Sequence, residues 1–573
     1  MNERASLLPY SCTALLGLML ASAGSIGCMS ILTRGGAEKA TLEELAHDSP
    51  DLVGTFTHPY GMNYVKIEAI SLVTGLNGTG EDPPPTPQRA SLIADMKRRQ
   101  VKDANKVLAS PDTSLVLVRG VLRPGIQEGD QFDIEVRVPS RGESTSLRGG
   151  WLLPARLTEL AVLGQQIRRG HVLGIAEGAI LVDPHAQGEE GEPYSTRGRV
   201  LGGGVAAKSR SMGLVIDDRH KSVRLAQQIA KSVNVRFHLR VDGRKDGVAT
   251  PKTDEFIELS VHARYKDNVG RYMQVVRSVA VGETARQRQA RLAMLAEQIK
   301  DPLTAASAAL QLEALGDDQA VESLQRALES SDTEVRFYAA EALAYLDKTS
   351  AVDVLTEMAR NERAFRVNSM AALSAMDDLS AFESLRGLLA EKSAETRYGA
   401  FRSLWAMNPH DALVAGEDLG GMFSFHQLDV DGPPMIHLTN SHRPEIVLFG
   451  AQPPLKLPVL IEAGNGILIN GMQGRELTVS RFANRGEAEQ RTIPPNVSEL
   501  VRTLVDFGGS YPDVVQALQQ AKEQGSLEPR LTVDALPQAG RLFRRDDAAT
   551  AQEEGDRSFD VATPLPDLFK RRT

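Results

Sequence analysis

Residues that could carry out catalytic or metal-binding chemistry are scattered along this chain. It contains 11 His, and neither an HExxH nor a Gly-x-Ser-x-Gly motif occurs. His437 and His442 lie five residues apart in a Pro/Gly-rich stretch, which is typical of loop histidines. Asp429 and Asp431 lack the remaining ligand positions of a calcium loop. We therefore predict no catalytic residues, no metal site and no bound cofactor, and we expect a protein that is not an enzyme.

The two cysteines indicate export and modification instead of catalysis. Arg4 followed by an apolar run from Thr13 to Gly27 predicts a signal peptide over residues 1–28, followed by a linker over residues 29–63. The only cysteines, Cys12 and Cys28, lie in or at the edge of this segment. Ser25-Ile-Gly-Cys28 resembles a lipobox, so we predict acylation of Cys28 and anchoring to the outer membrane, with ordinary cleavage nearby as the alternative.

A glycine-rich segment, Leu72-Val-Thr-Gly-Leu-Asn-Gly-Thr-Gly80, is typical of a strand that ends in a turn. Its three glycines, Gly75, Gly78 and Gly80, permit backbone conformations that a Cβ would forbid. Asn77 and Thr79 suit such a turn because their side chains can bond nearby backbone groups. The alternative is a phosphate-binding loop, but the lysine of that motif is missing and Pro83-Pro-Pro85 follows instead of a helix. The pattern favours a structural turn.

A second segment, Ser146-Leu-Arg-Gly-Gly-Trp-Leu-Leu-Pro154, places Arg148 between a predicted strand end and the Gly149-Gly150 turn. The two segments resemble the signature segments of the flagellar P-ring protein family, in the same order and at a similar separation. That resemblance implies a structural protein for motility. It also implies a periplasmic subunit of the basal body that self-associates into a closed ring around the rod, with peptidoglycan and the rod and L-ring proteins as partners.

The alternation of apolar and polar residues defines the fold class of residues 64–282. Phe132, Ile134 and Val136 alternate with charged residues, which predicts a strand with one buried face. Similar alternation predicts strands over residues 235–241 and 257–265, and residues 222–233 are typical of a short helix. We therefore predict an α+β protein with mostly antiparallel, P-ring-like β-rich domains, interrupted by the all-α insertion described below.

The family pattern returns near the C-terminus, over residues 445–536. Apolar residues between Val497 and Val505 recur at helical spacing, and Gly508-Gly509 ends the helix. Ser510 and Asp513 then form a predicted capping box for a second helix, and a closing strand is expected over residues 527–533. The charged residues 537–573 lie past the usual end of the family, and we predict that they form a disordered tail.

A repeat of 30 or 31 residues separates the two parts of the family pattern. Arg336, Arg366 and Arg397 keep this step, as do four leucines that begin with Leu312. Such a period predicts an array of helix pairs over residues 302–410, similar to HEAT repeats although the unit is shorter than the usual ~40 residues. Residues 283–301 would form a helical connector and residues 411–444 a connector loop. The array would serve as a spacer or as a docking groove for an unknown protein.

A run of basic residues follows the predicted amphipathic segment 90–96. Lys97, Arg98, Arg99 and Lys102 stand where members of the P-ring family also have a helix and basic residues, so they are candidates for a surface that faces the rod. Charge would position a rod without close contact, because it is screened beyond about 8 Å at physiological salt. The alternative is a solvated helix end.

Composition excludes one class of function and leaves another open. The 573 residues carry a net charge of −9 and 5% aromatic residues, so we predict no binding of nucleic acid. The alternative to a P-ring subunit is a non-flagellar envelope lipoprotein that binds a protein partner through its helical repeats.

Overall fold

The computed structural model describes residues 50–163, 166–182, 195–241, 244–464, 466–472, 476–482 and 489–543. The predicted signal peptide with Cys12 and Cys28, residues 29–49 of the predicted linker and residues 544–573 of the predicted tail lie outside the described residues. Over the part that is described, none of the helices combines the length and the apolar character needed to cross a membrane.

An antiparallel sheet that closes on itself forms the first body. Its strand order is β4-β3-β2-β5-β6-β8-β7, and the additional pairing of β4 with β8 closes it. Phe132, Ile134 and Val136 point into its apolar interior, as their alternation predicts. We call it the closed sheet; its strands are β2 (Val65–Thr74), β3 (Thr113–Leu122), β4 (Gln131–Arg137), β5 (Trp151–Leu163), β6 (Gln166–Ala179), β7 (Leu181–Val182) and β8 (Arg197–Ala206).

Two helices cover part of the outer face of the closed sheet. Helix α2 (Pro87–Arg98) begins at Thr86, whose side chain accepts a hydrogen bond from the backbone N–H of Arg89. Helix α3 (Ala104–Leu108) follows it, and Leu92 and Leu108 of these helices pack with Leu72 of β2 and Leu115 of β3. The helical turn that carries the basic run is thereby fixed against the sheet.

The second body is a four-stranded sheet of order β1-β9-β13-β12. Its strand β1 lies inside the predicted linker and pairs with β9, so the linker prediction is wrong for these residues. Two strand predictions are also partly wrong, because helix α4 continues to Arg236 and residues 263–265 form a 3₁₀ turn. The elements are α1 (Val53–Phe56), β1 (Thr57–Tyr60), β9 (Met212–Ile216), α4 (Val223–Arg236), the hairpin β10 (His238–Val241) and β11 (Arg244–Gly247), β12 (Ala249–Pro251), β13 (Phe256–Leu259) and α5 (Val269–Arg277).

The helical array follows as alternating inner and outer helices. The inner helices are almost completely buried along their length, whereas the outer helices keep one exposed face. Residues 283–301, predicted as a connector, contain helix α6, which packs on α7 as the first layer of the array. The helices are α6 (Ala285–Gln298), α7 (Pro302–Leu315), α8 (Asp318–Ala327), α9 (Thr333–Tyr345), α10 (Val352–Asn361), α11 (Arg366–Ser374), α12 (Leu379–Leu388) and α13 (Ala394–Met407).

A mixed five-stranded sheet receives the chain after the array. Its order is β14-β15-β17-β16-β22, with parallel pairing of β15 to β17 and of β16 to β22. The connector loop predicted for residues 411–444 is therefore wrong, because three of these strands lie within it. The strands are β14 (Gly416–Leu419), β15 (Phe423–Leu428), β16 (Met435–Leu438), β17 (Glu445–Phe449) and β22 (Arg530–Val533).

A four-stranded antiparallel sheet and two helices lie between β17 and β22 in the sequence. Ser510 and Asp513 form the predicted capping box of the second helix. Leu181 and Leu201 of the closed sheet join the apolar core of this region, so the two β-rich parts are in contact. The elements are β18 (Val459–Glu462), β19 (Ile467–Gly471), β20 (Leu477–Arg481), β21 (Glu489–Ile493), α14 (Val497–Asp506) and α15 (Tyr511–Glu523).

Candidate functional site

The glycine-rich turn at the end of β2 is held by hydrogen bonds to two other loops. Gly75 and Gly78 both have φ of 80°, a left-handed conformation that favours glycine. A side chain on Gly80 would overlap the carbonyl oxygen of Thr113, so this position requires the smallest residue. Thr79 Oγ1 donates to the carbonyl oxygen of Ser146 at 2.7 Å, and Asn77 is exposed to solvent. The turn is therefore a rigid corner of the closed sheet.

The Arg-Gly-Gly segment packs directly on this corner. Gly150 is buried, and a Cβ there would press on the side chains of Val73 and Leu76. Gly149 has φ of 73° and its carbonyl oxygen faces Gly75. The two segments predicted as signatures, about seventy residues apart in the sequence, thus form one structural unit.

Arg148 extends this unit toward the C-terminal region. With Gly149 it lines a small cleft whose opposite wall is helix α15, including Pro512 and Gln516. The glycine turn, the Arg-Gly-Gly corner and helix α15 consequently lie next to one another in the structure.

The predicted basic run lies at the exposed end of α2. Lys97, Arg98, Arg99 and Lys102 are all exposed, and Arg98 and Arg99 both contact the Asp95 carboxylate, at 3.4 and 2.8 Å. Within the described ranges, neither lysine has a carboxylate partner. The lysines are therefore the more available cations of the run.

Arg98 and Arg99 also border an open groove between α2 and the outer face of the closed sheet. We call it the basic groove; its volume is about 860 Å3. Glu68 neutralises one of its cations through an ion pair of 2.7 Å with Arg119. Further arginines line it on neighbouring strands, namely Arg137, Arg156, Arg197 and Arg199. Such a surface attracts anionic groups, because guanidinium pairs with carboxylate and phosphate in a fork geometry.

The repeated arginines of the array have a structural role. Arg366 Nε donates to the carbonyl oxygen of Ala359 at 2.9 Å, and Arg397 Nε donates to that of Leu389 at 2.7 Å. Arg336 contacts the carbonyl oxygens of Ser330 and Ser331. Arg366 and Arg397 thus cap the ends of the preceding outer helices, where carbonyl groups lack intrahelical partners, whereas Arg336 binds the turn that follows α8.

A buried charge cluster joins the beginning of the array to the second body. We call it the first junction. Arg271 of α5 lies between two carboxylates of the array, with Nη2 2.5 Å from Glu313 and Nη1 2.5 Å from Glu341. Tyr265 donates to the same Glu313 side chain at 2.6 Å, and the Tyr265 ring stacks on Tyr345. Fully buried charges persist only when they are paired and hydrogen-bonded, so this cluster fixes the position of the array.

A second cluster, the second junction, joins the end of the array to the mixed sheet. Its centre is Glu445 of β17, whose carboxylate accepts hydrogen bonds from Tyr398 at 2.8 Å and Arg402 at 3.1 Å, both on α13. His426 lies 3.7 Å from the same carboxylate, and His437 stacks on Tyr398 with 3.7 Å between ring centres. All five side chains are buried.

The two junctions shift the pKa of their buried carboxyl groups in opposite directions. Burial raises the pKa of Glu341 above 4.5, although the charge of Arg271 opposes this shift. Burial alone would also raise the pKa of Glu445, but Arg402 and the neighbouring cations together lower it to about 2. Burial lowers the pKa of His437 to about 3, so this histidine is neutral at physiological pH.

The histidines considered for metal binding form hydrogen bonds elsewhere, and the two aspartates are exposed to solvent. His437 accepts a hydrogen bond from the backbone N–H of Ala535 at 3.1 Å, whereas the backbone N–H of His442 donates to Asp133 of the closed sheet. Asp429 and Asp431 are exposed. Across the residues with described positions, no group of three or more His, Cys, Asp or Glu is arranged to hold a metal ion.

Sequence reasoning missed the junction residues. Glu313 and Glu341 each stand between Ala and Leu residues within a mainly apolar stretch of their helix, which was the available signal. A charge within an apolar helical pattern indicates either an exposed position or a buried pair. The two cases can be distinguished only when the partner is known, and here the partner is Arg271, which is distant in the sequence.

Two family models match different parts of the chain, one mainly before the helical array and one within it. Residues 56–293 match the family model described as Flagellar P-ring protein, and residues 290–376 match the model described as HEAT repeats. The predicted resemblance to both families is thereby confirmed for these ranges. The match to HEAT repeats begins inside α6, in agreement with its packing as part of the array.

Individual relatives give the same result over a limited length. The chain is similar to the flagellar P-ring protein of Caulobacter vibrioides, with 28% identity over 189 residues, or 31% of this chain and 48% of the relative. It is 30% identical to the P-ring protein of Rhizobium etli strain CIAT 652 over 33% of this chain and 53% of the relative. For Campylobacter lari the identity is 24%, over 36% and 60%. The chain thus spans about half the length of the curated relatives that it matches.

Proposed function

We propose that this chain is a structural subunit of the flagellar P ring, which assembles in the periplasm as a bushing around the rod for motility. The observation that supports it best is the unit formed by the glycine turn and the Arg-Gly-Gly corner, because it lies within residues 56–293, which match the P-ring family. A closed ring requires two different surfaces of one subunit to pair repeatedly. The role is mechanical, and no enzymatic step is part of the proposal.

The proposal includes a location and partners. Export through the predicted signal peptide would deliver the chain to the periplasm, where it would contact peptidoglycan and the rod and L-ring proteins. Acylation of Cys28 would add an anchor in the outer membrane. One acyl chain gives only marginal binding to a membrane, and a ring with many such chains would bind far more strongly.

Electron microscopy of purified basal bodies tests the ring. Basal bodies from cells that lack this protein should lack density at the P-ring position, and expression of the wild-type chain should restore it. Mass spectrometry of the same particles should find the chain and should show whether Cys28 carries lipid. Unchanged rings in cells without the protein would refute the proposal.

The basic end of α2 would face the rod and hold it by charge at a distance. Replacement of Lys97 and Lys102 by Glu should leave rings intact but reduce swimming speed, because both lysines are exposed. The matched control is Lys231→Glu, an exposed lysine on α4. Equal swimming of all three strains would assign the basic run to a solvated helix end.

One observation supports the second candidate, an envelope lipoprotein whose array binds a protein partner. The inner helices of the array already hold an extended segment of this same chain, residues 535–543, as a peptide ligand would be held. The test is the same preparation of basal bodies. Recovery of the protein from the envelope but not from basal bodies would favour this candidate.

A further inference from the structure

The segment that follows β22 crosses the inner helices of the array. We call residues 535–543 the strap. Pro537 is buried, and a Cβ on Gly399 of α13 would press on both Pro537 and Met370 of α11, so the strap lies close to the backbone of α13. The Phe543 ring stacks on Phe365 with 4.9 Å between ring centres. These residues lie in the predicted disordered tail, and that prediction is wrong for residues 537–543.

Two contacts give the strap its chemical specificity. Arg541 binds the Glu395 carboxylate through both terminal nitrogens, at 2.8 and 2.7 Å. Arg366 also pairs with Glu395 at 3.0 Å, so the carboxylate is held in a fixed position. Phe365 stacks in turn on Phe337 of α9, and Phe543 therefore extends an aromatic stack. The groove of the array that holds the strap thus binds a guanidinium and an aromatic ring that lie two residues apart in the sequence.

Side chains, not backbone pairing, hold the strap in this groove. Over residues 537–543, all of them described, no backbone N–H donates to a backbone carbonyl of the array. Leu542 is 91% exposed, and Gln538 and Gly540 are also exposed. The strap can therefore leave the groove without breaking a sheet.

A single residue connects the strap to the mixed sheet. Asp534 has φ of 45°, an uncommon backbone conformation outside glycine, and its carboxylate accepts a hydrogen bond from the N–H of Asn440 at 2.6 Å. A short hinge next to a segment held by its own side chains is the arrangement that permits exchange of that segment between copies.

We propose that the strap is exchanged between neighbouring copies, so that the strap of one subunit occupies the groove of the next. This inference rests on the proposed ring. Exchange replaces each contact by an identical one, so its equilibrium is set by the hinge and by the effective concentration of the neighbour. A closed ring fixes neighbours beside each other and makes that concentration high. The strap would thus link adjacent arrays around the ring.

Charge reversal in two different copies tests the exchange. In a strain that expresses only Arg541→Glu, or only Glu395→Arg, like charges meet in every groove, and ring recovery should fall. Co-expression of the two variants should restore it, because the strap of each variant then meets a complementary groove in the other. The double variant Glu395→Arg/Arg541→Glu in one chain is the control for folding.

The outcomes separate the possibilities. If co-expression recovers no more rings than either variant alone while the double variant is normal, the strap acts only within its own chain and the proposal fails. It also fails if the single variants assemble normally. Absence of the wild-type chain from basal bodies would instead refute the proposed function.

Cross-linking provides a second measurement in the full chain. Two differently tagged copies, Glu395→Cys and Arg541→Cys, are assembled together and treated with a short bismaleimide. Covalent species that carry both tags should exceed those formed with Glu383→Cys, an exposed position on α12, by at least about tenfold. Equal yields would contradict exchange.

Discussion

The two junctions hold the same array in place with opposite charge arrangements. At the first junction one cation, Arg271, lies between two carboxylates, whereas at the second one carboxylate, Glu445, lies among Arg402, Arg443 and His426. Both clusters are buried; the first joins the array to helix α5 of the second body, and the second joins it to β17 of the mixed sheet. A buried charge of either sign can therefore hold an end of the array when groups of opposite charge lie beside it.

The comparison also explains why the array is more than a flexible insertion. Each junction connects an inner helix to a neighbouring body by side chains with almost no exposure. A helical array joined only by its two chain ends could rotate freely. Here, rotation would separate Arg271 and Glu445 from their partners, and a buried charge without its partner costs several kcal/mol. The buried ion pairs at both ends therefore oppose rotation of the array relative to the sheets.

The largest effect is expected from removal of the central cation of the first junction. Arg271→Met leaves Glu313 and Glu341 buried without their partner, and it should lower the free energy of unfolding at pH 7 by about 3–5 kcal/mol. Urea denaturation measures the loss. The control is Arg288→Met, a partly exposed arginine that pairs with Asp317, for which we expect at most about 1 kcal/mol. Similar losses for both variants would contradict a special role of the junction.

Removal of the carboxylate charge at the second junction should have a somewhat smaller effect. Glu445→Gln keeps the size of the side chain and a hydrogen-bond acceptor for Tyr398, but it removes the negative charge that faces the buried guanidinium of Arg402. We expect a loss of about 2–3 kcal/mol at pH 7 by the same assay. The matched control is Glu417→Gln, in an exposed pair with Arg502, with a loss of at most about 1 kcal/mol. An effect no larger than the control would show that the cations find other partners.

Acid should distinguish the two junctions. The folded pKa of Glu445 is lowered to about 2, so its stabilisation is present above the usual value of 4.5 and is lost as the pH falls toward 2. The folded pKa of Glu341 is raised, so its contribution is present below 4.5 and is lost as the pH rises through the folded value. The penalty of Glu445→Gln should therefore shrink in acid, and Glu341→Gln should become relatively more favourable at higher pH.

Denaturation of the wild type and both variants at several pH values between about 3 and 7 measures these trends. If the change in unfolding free energy followed the same pH dependence for Glu341→Gln and Glu445→Gln, the opposite pKa shifts at the two junctions would be contradicted.

The smallest effect is expected inside the array, away from both junctions. Arg336 caps carbonyl oxygens at 3.3 and 3.4 Å on a partly exposed surface. Arg336→Ala should cost about 0.5–1 kcal/mol, because it removes only these weak hydrogen bonds and an ion pair of 3.9 Å with the exposed Glu357. Arg366→Ala should cost more, since Arg366 is buried and also pairs with Glu395. The reverse order in thermal or urea unfolding would show that the repeats do not share one capping mechanism.

Local features of the fold were predictable because they depend on residues close in sequence. The capping box of Ser510 and Asp513 spans three residues, and the strand with Phe132, Ile134 and Val136 follows from alternation alone. Connector boundaries were not predictable in the same way. Residues 411–444 are rich in Pro and Gly but contain short strands, whose pairing with β17 and β22 outweighs their weak local preference.

The sequence by itself determined the two signature turns, the helical period of the array and the caps that begin its helices. These features arise from backbone conformation and from contacts within a few residues. Only the tertiary structure decided which buried charges meet, that the Arg-Gly-Gly corner faces α15, and that the strap lies in the groove of the array. The reason is that the charge of a side chain is visible in the sequence, whereas the partner of that charge depends on how distant segments pack. Arg271 and Glu445 pair with residues more than forty positions away in the sequence.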